Sequence, residues 1–245
     1  MNPVFRSMIV CLILIALWQA IVSIWNLPGY LLPAPVQVLT ALYNQHQIIT
    51  LEAIPTMIET LLGFLLGIFF GCLTGLMVTF FRPLKFWLLP LLIISQAIPT
   101  FAIAPLLVIW LGYGIASKIA TTILMIFFPV ASAFHDGLRC TEAGWLNLAK
   151  TMNAREWRVF YYIRLPAALP SLASGIRIAA VAAPIGAIVG EWVGSSQGLG
   201  YLMLNANARM QIDVMFAALI VIIVFALVLY FSVDKVLRSL VSWNS

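Results

Sequence analysis

A chain of 245 residues that is 63% hydrophobic and only 9% charged cannot clothe a water-soluble globule. Its mean hydropathy of +1.07 points to lipid as the solvent. The net charge of +5 falls between apolar runs rather than on one soluble face, which sets nucleic-acid binding aside and leaves membrane orientation as its cause. Cys11, Cys72 and Cys140 lack metal-ligand spacing and read as small packing residues, so neither a disulfide framework nor a metal is expected.

Six apolar runs are long enough to cross a bilayer, at roughly 7–26, 55–80, 87–111, 116–137, 170–190 and 213–233. The first follows Arg6 and is too long for a signal peptide. Trp18, Gln19 and Trp25 offer no small-residue cleavage pattern, so it is expected to stay as a span. The loop from Asn26 to Ile54 has no Lys or Arg, whereas the next carries Arg82 and Lys85. After span 3 come a short turn and Lys118. Span 4 leads into a long loop bearing Arg139, Lys150, Arg155, Arg158 and Arg164, with Arg177 beyond it. Only Arg209 follows span 5, and Lys235 and Arg238 lie in the tail. Positive charge in alternate loops places both termini and the 139–170 loop in the cytoplasm.

Span 2 carries Gly63, Gly67, Gly71 and Gly75 on one helical stripe, which lets a second helix approach closely. Packing within the chain is favoured over a subunit interface. Pro99 and Pro105 in span 3, Pro129 in span 4 and Pro184 in span 5 each remove a backbone donor. Broken helices in membranes survive where they are buried or line a cavity, which favours a machine with a pathway.

The 139–170 loop reads as two short helices and a turn. The first runs roughly from an N-cap at Thr141 to Met152, with Trp145, Leu148, Ala149 and Met152 on one apolar face. Asn153 suits the left-handed residue that closes a helix. The second runs roughly from Arg155 to Arg164 with Trp157, Phe160 and Tyr161 on one side, and Pro166 is expected to stop it. Such a helix pair lies on the membrane surface or inserts into a partner's groove, and periodicity alone does not choose.

Ile163, Leu165 and Pro166, with Asn153 where a Gly would stand, resemble the end of the cytoplasmic EAA loop of binding-protein-dependent ABC importer permeases. Asn147, Leu148 and Ala149 occupy the Glu-Ala-Ala positions, so the first Glu and Ala of that pattern are absent. Leu32-Pro33-Ala34-Pro35, Trp110-Leu111-Gly112, Phe127-Phe128-Pro129 and Gly175-Ile176-Arg177 resemble the nitrate, sulfonate, taurine and thiamine-pyrimidine branch. Within it, Ala183-Pro184-Ile185-Gly186 and Gly190-Glu191-Trp192-Val193-Gly194 look most like permeases for thiamine pyrimidine precursors.

The resemblance implies an all-α, multi-pass permease of the bacterial inner membrane, one domain over 1–245, built like a type I ABC importer permease. It implies a cytoplasmic ATP-binding subunit, a second permease copy and an extracytoplasmic substrate-binding protein as partners. The expected docking residues are Trp145, Leu148, Ala149, Met152, Asn153, Trp157, Tyr161, Ile163, Leu165 and Pro166. Pro105, Pro184 and Glu191 are the expected pathway residues.

Glu191 at the end of span 5 could instead pair with Arg209 or meet water at the interface, while Glu59 inside span 2 is expected to hold a buried hydrogen bond. Glu52 and Asp213 read as interfacial, and His46 and His135 as structural. An intramembrane serine protease is the alternative class, but Gly194-Ser195-Ser196-Gln197-Gly198 and Ser174-Gly175 lack a Gly-x-Ser-Gly setting. No Gly-x-x-x-x-Gly-Lys-Ser/Thr loop is present, so ATP hydrolysis is expected on a separate subunit. A channel is also weighed, but nothing resembles a selectivity filter, and no cofactor is expected.

Overall fold

The computed structural model describes residues 3–81, 86, 87, 90, 94 and 98–241, with only the backbone of residues 3, 4, 6–8 and 11. The described residues form helices and no strands. In chain order these are α1 (Pro3–Ile24), α2 (Pro35–Asn44), α3 (His46–Phe80), α4 (Thr100–Leu111), α5 (Ile115–Arg139), α6 (Ala143–Thr151), α7 (Glu156–Gly194), α8 (Leu199–Ala208) and α9 (Ile212–Leu240). Four of them, α3, α5, α7 and α9, are long and apolar enough to cross a membrane. Most of the expected first half of span 3, with Arg82 and Lys85, lies outside the described residues.

Helix α5 is the central post, flanked by α3 and α7, and small residues set the spacing. A Cβ on Gly63 would stand 2.5 Å from Thr122, on Gly67 2.5 Å from Ile126 and on Gly71 2.8 Å from Val130. The glycine stripe of span 2 is therefore a seam within the chain, as the sequence favours. On the opposite flank, a Cβ on Gly175 would stand 2.9 Å from the Pro129 carbonyl, and on Gly186 2.8 Å from the Thr122 backbone. Without apolar transfer to drive helices together in lipid, such close van der Waals contact is the main attraction. The core along α7 is accordingly built from Ala173, Ala179, Ala180, Ala183 and Ala187.

Two short helices fall in segments read as loops. In α2, Pro35 begins the first turn, and the side chain of Gln37 accepts the Ala34 N–H at 3.0 Å. Its Val38 and Ala41 join Ile49 and Ala53 of α3, Leu199 and Met203 of α8 and Val214 and Ala217 of α9 in one cluster. That cluster also shows why span 2 starts earlier than its apolar run. The first turns of α3, from His46, are held by packing against α2, α8 and α9.

The stop expected at Pro166 is absent. The second loop helix continues into span 5 as one 39-residue helix, about 58 Å long at 1.5 Å per residue. Proline lacks the N–H that would bond the carbonyl four residues back. The chain absorbs this with a wider π turn over Phe160–Arg164, in which the Leu165 N–H donates to the Phe160 carbonyl. Below that turn Phe160, Leu165 and Leu172 pack on Phe134, Leu138 and Ala168.

Candidate docking loop and buried polar network

The loop helix α6 starts at Ala143 rather than at Thr141. The Thr141 hydroxyl donates back to the Leu138 carbonyl at 3.3 Å and caps nothing in α6. At the other end, Asn153 has φ +50°. Its N–H donates to the Lys150 carbonyl at 2.9 Å, and the Ala154 N–H donates to the Ala149 carbonyl at 3.0 Å. These two bonds with a left-handed residue between them make a Schellman motif, carried by Asn in a place that usually takes Gly. Arg155 is then the extended N-cap of α7, and Glu156 meets the positive end of that helix.

The turn folds α6 back beside the start of α7 and leaves a cleft of about 570 Å³ between them. Trp145, Leu148, Ala149, Met152 and Asn153 line one side, and Val159, Tyr162 and Ile163 the other. Arg155 and Arg158 make its rim basic. Trp145, Leu148 and Met152 are each at least 60% exposed, while Ala149 is buried beneath them. Trp157 and Tyr161 are also exposed but stand outside the cleft; the Arg158 guanidinium lies over the Trp157 ring, 5.7 Å from its centroid. Phe160 parts from them and turns inward onto Phe80, with ring centroids 4.6 Å apart. Leu165 and Pro166 are half-buried at the base.

At the far end of the bundle the structure assembles polar groups that sequence spacing did not join. Glu191 is 1% exposed. Its carboxylate accepts the Thr56 hydroxyl at 2.6 Å and the Gly200 N–H at 2.6 Å. Thr56 in turn accepts the Leu199 N–H at 2.8 Å, and Glu52 accepts the Gly198 N–H at 2.5 Å. These oxygens take the free N–H groups at the start of α8, where anionic acceptors are also favoured by the helix dipole. Arg209 has no part in it; among the described residues it forms no ion pair. One turn along α3, Glu59 is paired with Lys118 at 3.1 Å, both side chains being buried.

Pro105 and Pro184 occupy different settings. Pro105 lies mid-way along α4 and is exposed on the single chain. Pro184 is buried within α7 and borders a cavity of about 670 Å³ between α7, α8 and α9, with Ile185, Trp192, Met203, Leu227 and Tyr230 in its wall. None of the side chains lining that cavity is charged. Near the opposite end, Arg177 of α7 and Arg238 of α9 both hold Asp234, at 2.6 and 2.8 Å. His135 hydrogen-bonds Thr79 at 2.9 Å, and His46 bonds the Tyr43 carbonyl at 2.8 Å. Among the described residues there is no group of His, Cys, Asp and Glu able to hold a metal ion.

The sequence profile of the binding-protein-dependent transport system inner membrane component family matches residues 63–242. The chain belongs to that family. It is 49% identical over 239 residues to a probable ABC transporter permease protein of Haemophilus influenzae, covering 98% of this chain and 97% of the relative. It is 33% identical to the formylaminopyrimidine transport permease protein ThiX of Halalkalibacterium halodurans, covering 95% and 93%. Its fold matches a structure of the MetNI methionine ABC transporter in an inward-facing conformation, with a TM-score of 0.67 at 18% identity over 80% of this chain and 97% of that one. The protein is therefore a multi-pass membrane permease subunit of an ABC importer, a transport subunit rather than an enzyme. An ATP-binding partner and a paired permease domain go with that class.

Proposed function

We propose that the 143–163 cleft receives the cytoplasmic ATP-binding subunit, and that two copies of this permease enclose the translocation pathway. The observation that carries the docking reading is the exposure of Trp145, Leu148 and Met152 around a preformed, basic-rimmed groove. Exposed aromatic and apolar anchors in a groove are what a partner helix or loop buries. The continuity of α7 supplies the mechanism. A push on the loop is carried through one helix past Arg177 and Pro184 to Glu191 without crossing a flexible joint, so ATP-driven movement below rocks the spans above. Asp234 ties α9 to the same lever through Arg177.

The alternating positive loops favour both termini and this cleft in the cytoplasm, with α2 and α8 on the side of the substrate-binding protein. For the cargo, the uncharged cavity at Pro184, Trp192 and Tyr230 suits a flat, weakly charged ring better than a sulfonate or nitrate anion. The likeness to a formylaminopyrimidine permease agrees with that. The test is Trp145→Ala, which removes an exposed anchor from the cleft wall, in the purified transporter. The loop reading expects loss of the ATP-binding subunit with the permease still folded. An intact complex would favour a loop lying on the membrane surface.

A further inference from the structure

Where the inner ends of α3 and α5 meet the π turn of α7, a second pocket of about 280 Å³ opens above α6. Its polar wall is Thr79, His135, Arg139 and Arg164, and its apolar wall includes Val78 and Leu146. His135 is 94% buried and held by the Thr79 hydroxyl. Neither Arg139 nor Arg164 has a carboxylate partner among the described residues. Asp136 and Glu142 stand on neighbouring turns, but neither lines the pocket. Two arginines lining one pocket with no acid in its wall offer guanidinium donors for phosphate oxygens. The volume is several times the ~30 Å³ share of one water, so it admits a phosphate group rather than a lone solvent molecule.

We propose that this pocket holds the phosphate of an anionic phospholipid. Thr79 and Arg139 stand at the ends of the membrane helices α3 and α5, and Arg164 faces the same pocket from the π turn of α7. Basic pockets between spans on the cytoplasmic side are where such headgroups bind. Phe80, more than half exposed and packed at a tilt against Phe160, stands next to Thr79 and offers an apolar wall for the first acyl carbons. Arg164 is the last residue of the π turn within α7, so the site borders that turn. A bound lipid there ties α5 to α7 by bridging Arg139 to Arg164. The choice of the inner leaflet rests on the orientation proposed above; the phosphate chemistry does not.

Native mass spectrometry of the full-length permease, alone and with its ATP-binding subunits, tests this with phosphatidylglycerol, phosphatidylcholine and inorganic phosphate as separate probes. The expected result is retained phosphatidylglycerol, weakened about thirtyfold in Arg139→Gln/Arg164→Gln and largely restored in Arg139→Lys/Arg164→Lys. Equal retention of phosphatidylcholine, or undiminished phosphatidylglycerol in the Gln variant, would overturn the proposal. Binding of inorganic phosphate without lipid retention would assign the pocket to a soluble phosphate and overturn the lipid source. Because the permease alone is also measured, failure of ATP-subunit docking and failure of lipid binding are read separately.

Discussion

Lys118 and Glu59 form an ion pair at 3.1 Å in which neither side chain exceeds 3% exposure, joining α5 to α3 inside the bundle. Removing one partner of a buried pair strands the other charge, which costs roughly 3–5 kcal/mol, whereas removing both is far milder. Lys118→Met alone should therefore lower thermal stability in detergent sharply. Glu59→Gln with Lys118→Met should recover more than half of the loss. Additive losses would show that the two groups do not depend on each other.

The Glu191 network predicts a local effect. Glu191→Gln keeps an acceptor for Thr56 or Gly200, while Glu191→Ala leaves both donors unsatisfied, at about 1–3 kcal/mol each. Amide exchange at the start of α8 should quicken strongly in the Ala variant and modestly in the Gln variant. Unchanged exchange in the Ala variant would mean that α8 is held by its apolar contacts alone.

Packing at the α3–α5 seam predicts a contrast between glycines. Gly71→Leu must displace Val130 and the Phe127 carbonyl, each 2.9 Å or less from the first added atom, and overpacking of this kind costs about 1–3 kcal/mol. Gly144→Ala meets open space. Melting of the purified permease should fall for the first and hold for the second, and equal melting would remove the seam.

Asn153 predicts a further contrast. Gly adopts a φ of +50° freely, whereas a β-branched residue there is strained. Uptake should survive Asn153→Gly and suffer in Asn153→Val. Equal uptake would separate the turn from coupling.

These contrasts mark what was legible beforehand. The turn at Asn153 could be read because a Schellman motif is local, its bonds spanning three and five residues. The glycine stripe was legible because its period is that of one helix. The α8 cap could not be read so, because Glu52, Thr56 and Glu191 reach it from as far as 146 residues away. The same holds for Lys118, whose partner is on another span. Helices α2 and α8 were missed because ten residues with only a partial apolar face resemble loop until α3 and α9 cover them. Pro166 misled for a different reason. It does remove a donor, but the π turn beside it takes up the fault and the helix runs on.

The docking of the 143–163 cleft is tested most directly by a photo-crosslinking residue at Leu148, activated in the assembled transporter in its native membrane. The account predicts a crosslink to the ATP-binding subunit, lost when that subunit is absent. Crosslinks to lipid alone, with the ATP-binding subunit present, would contradict it.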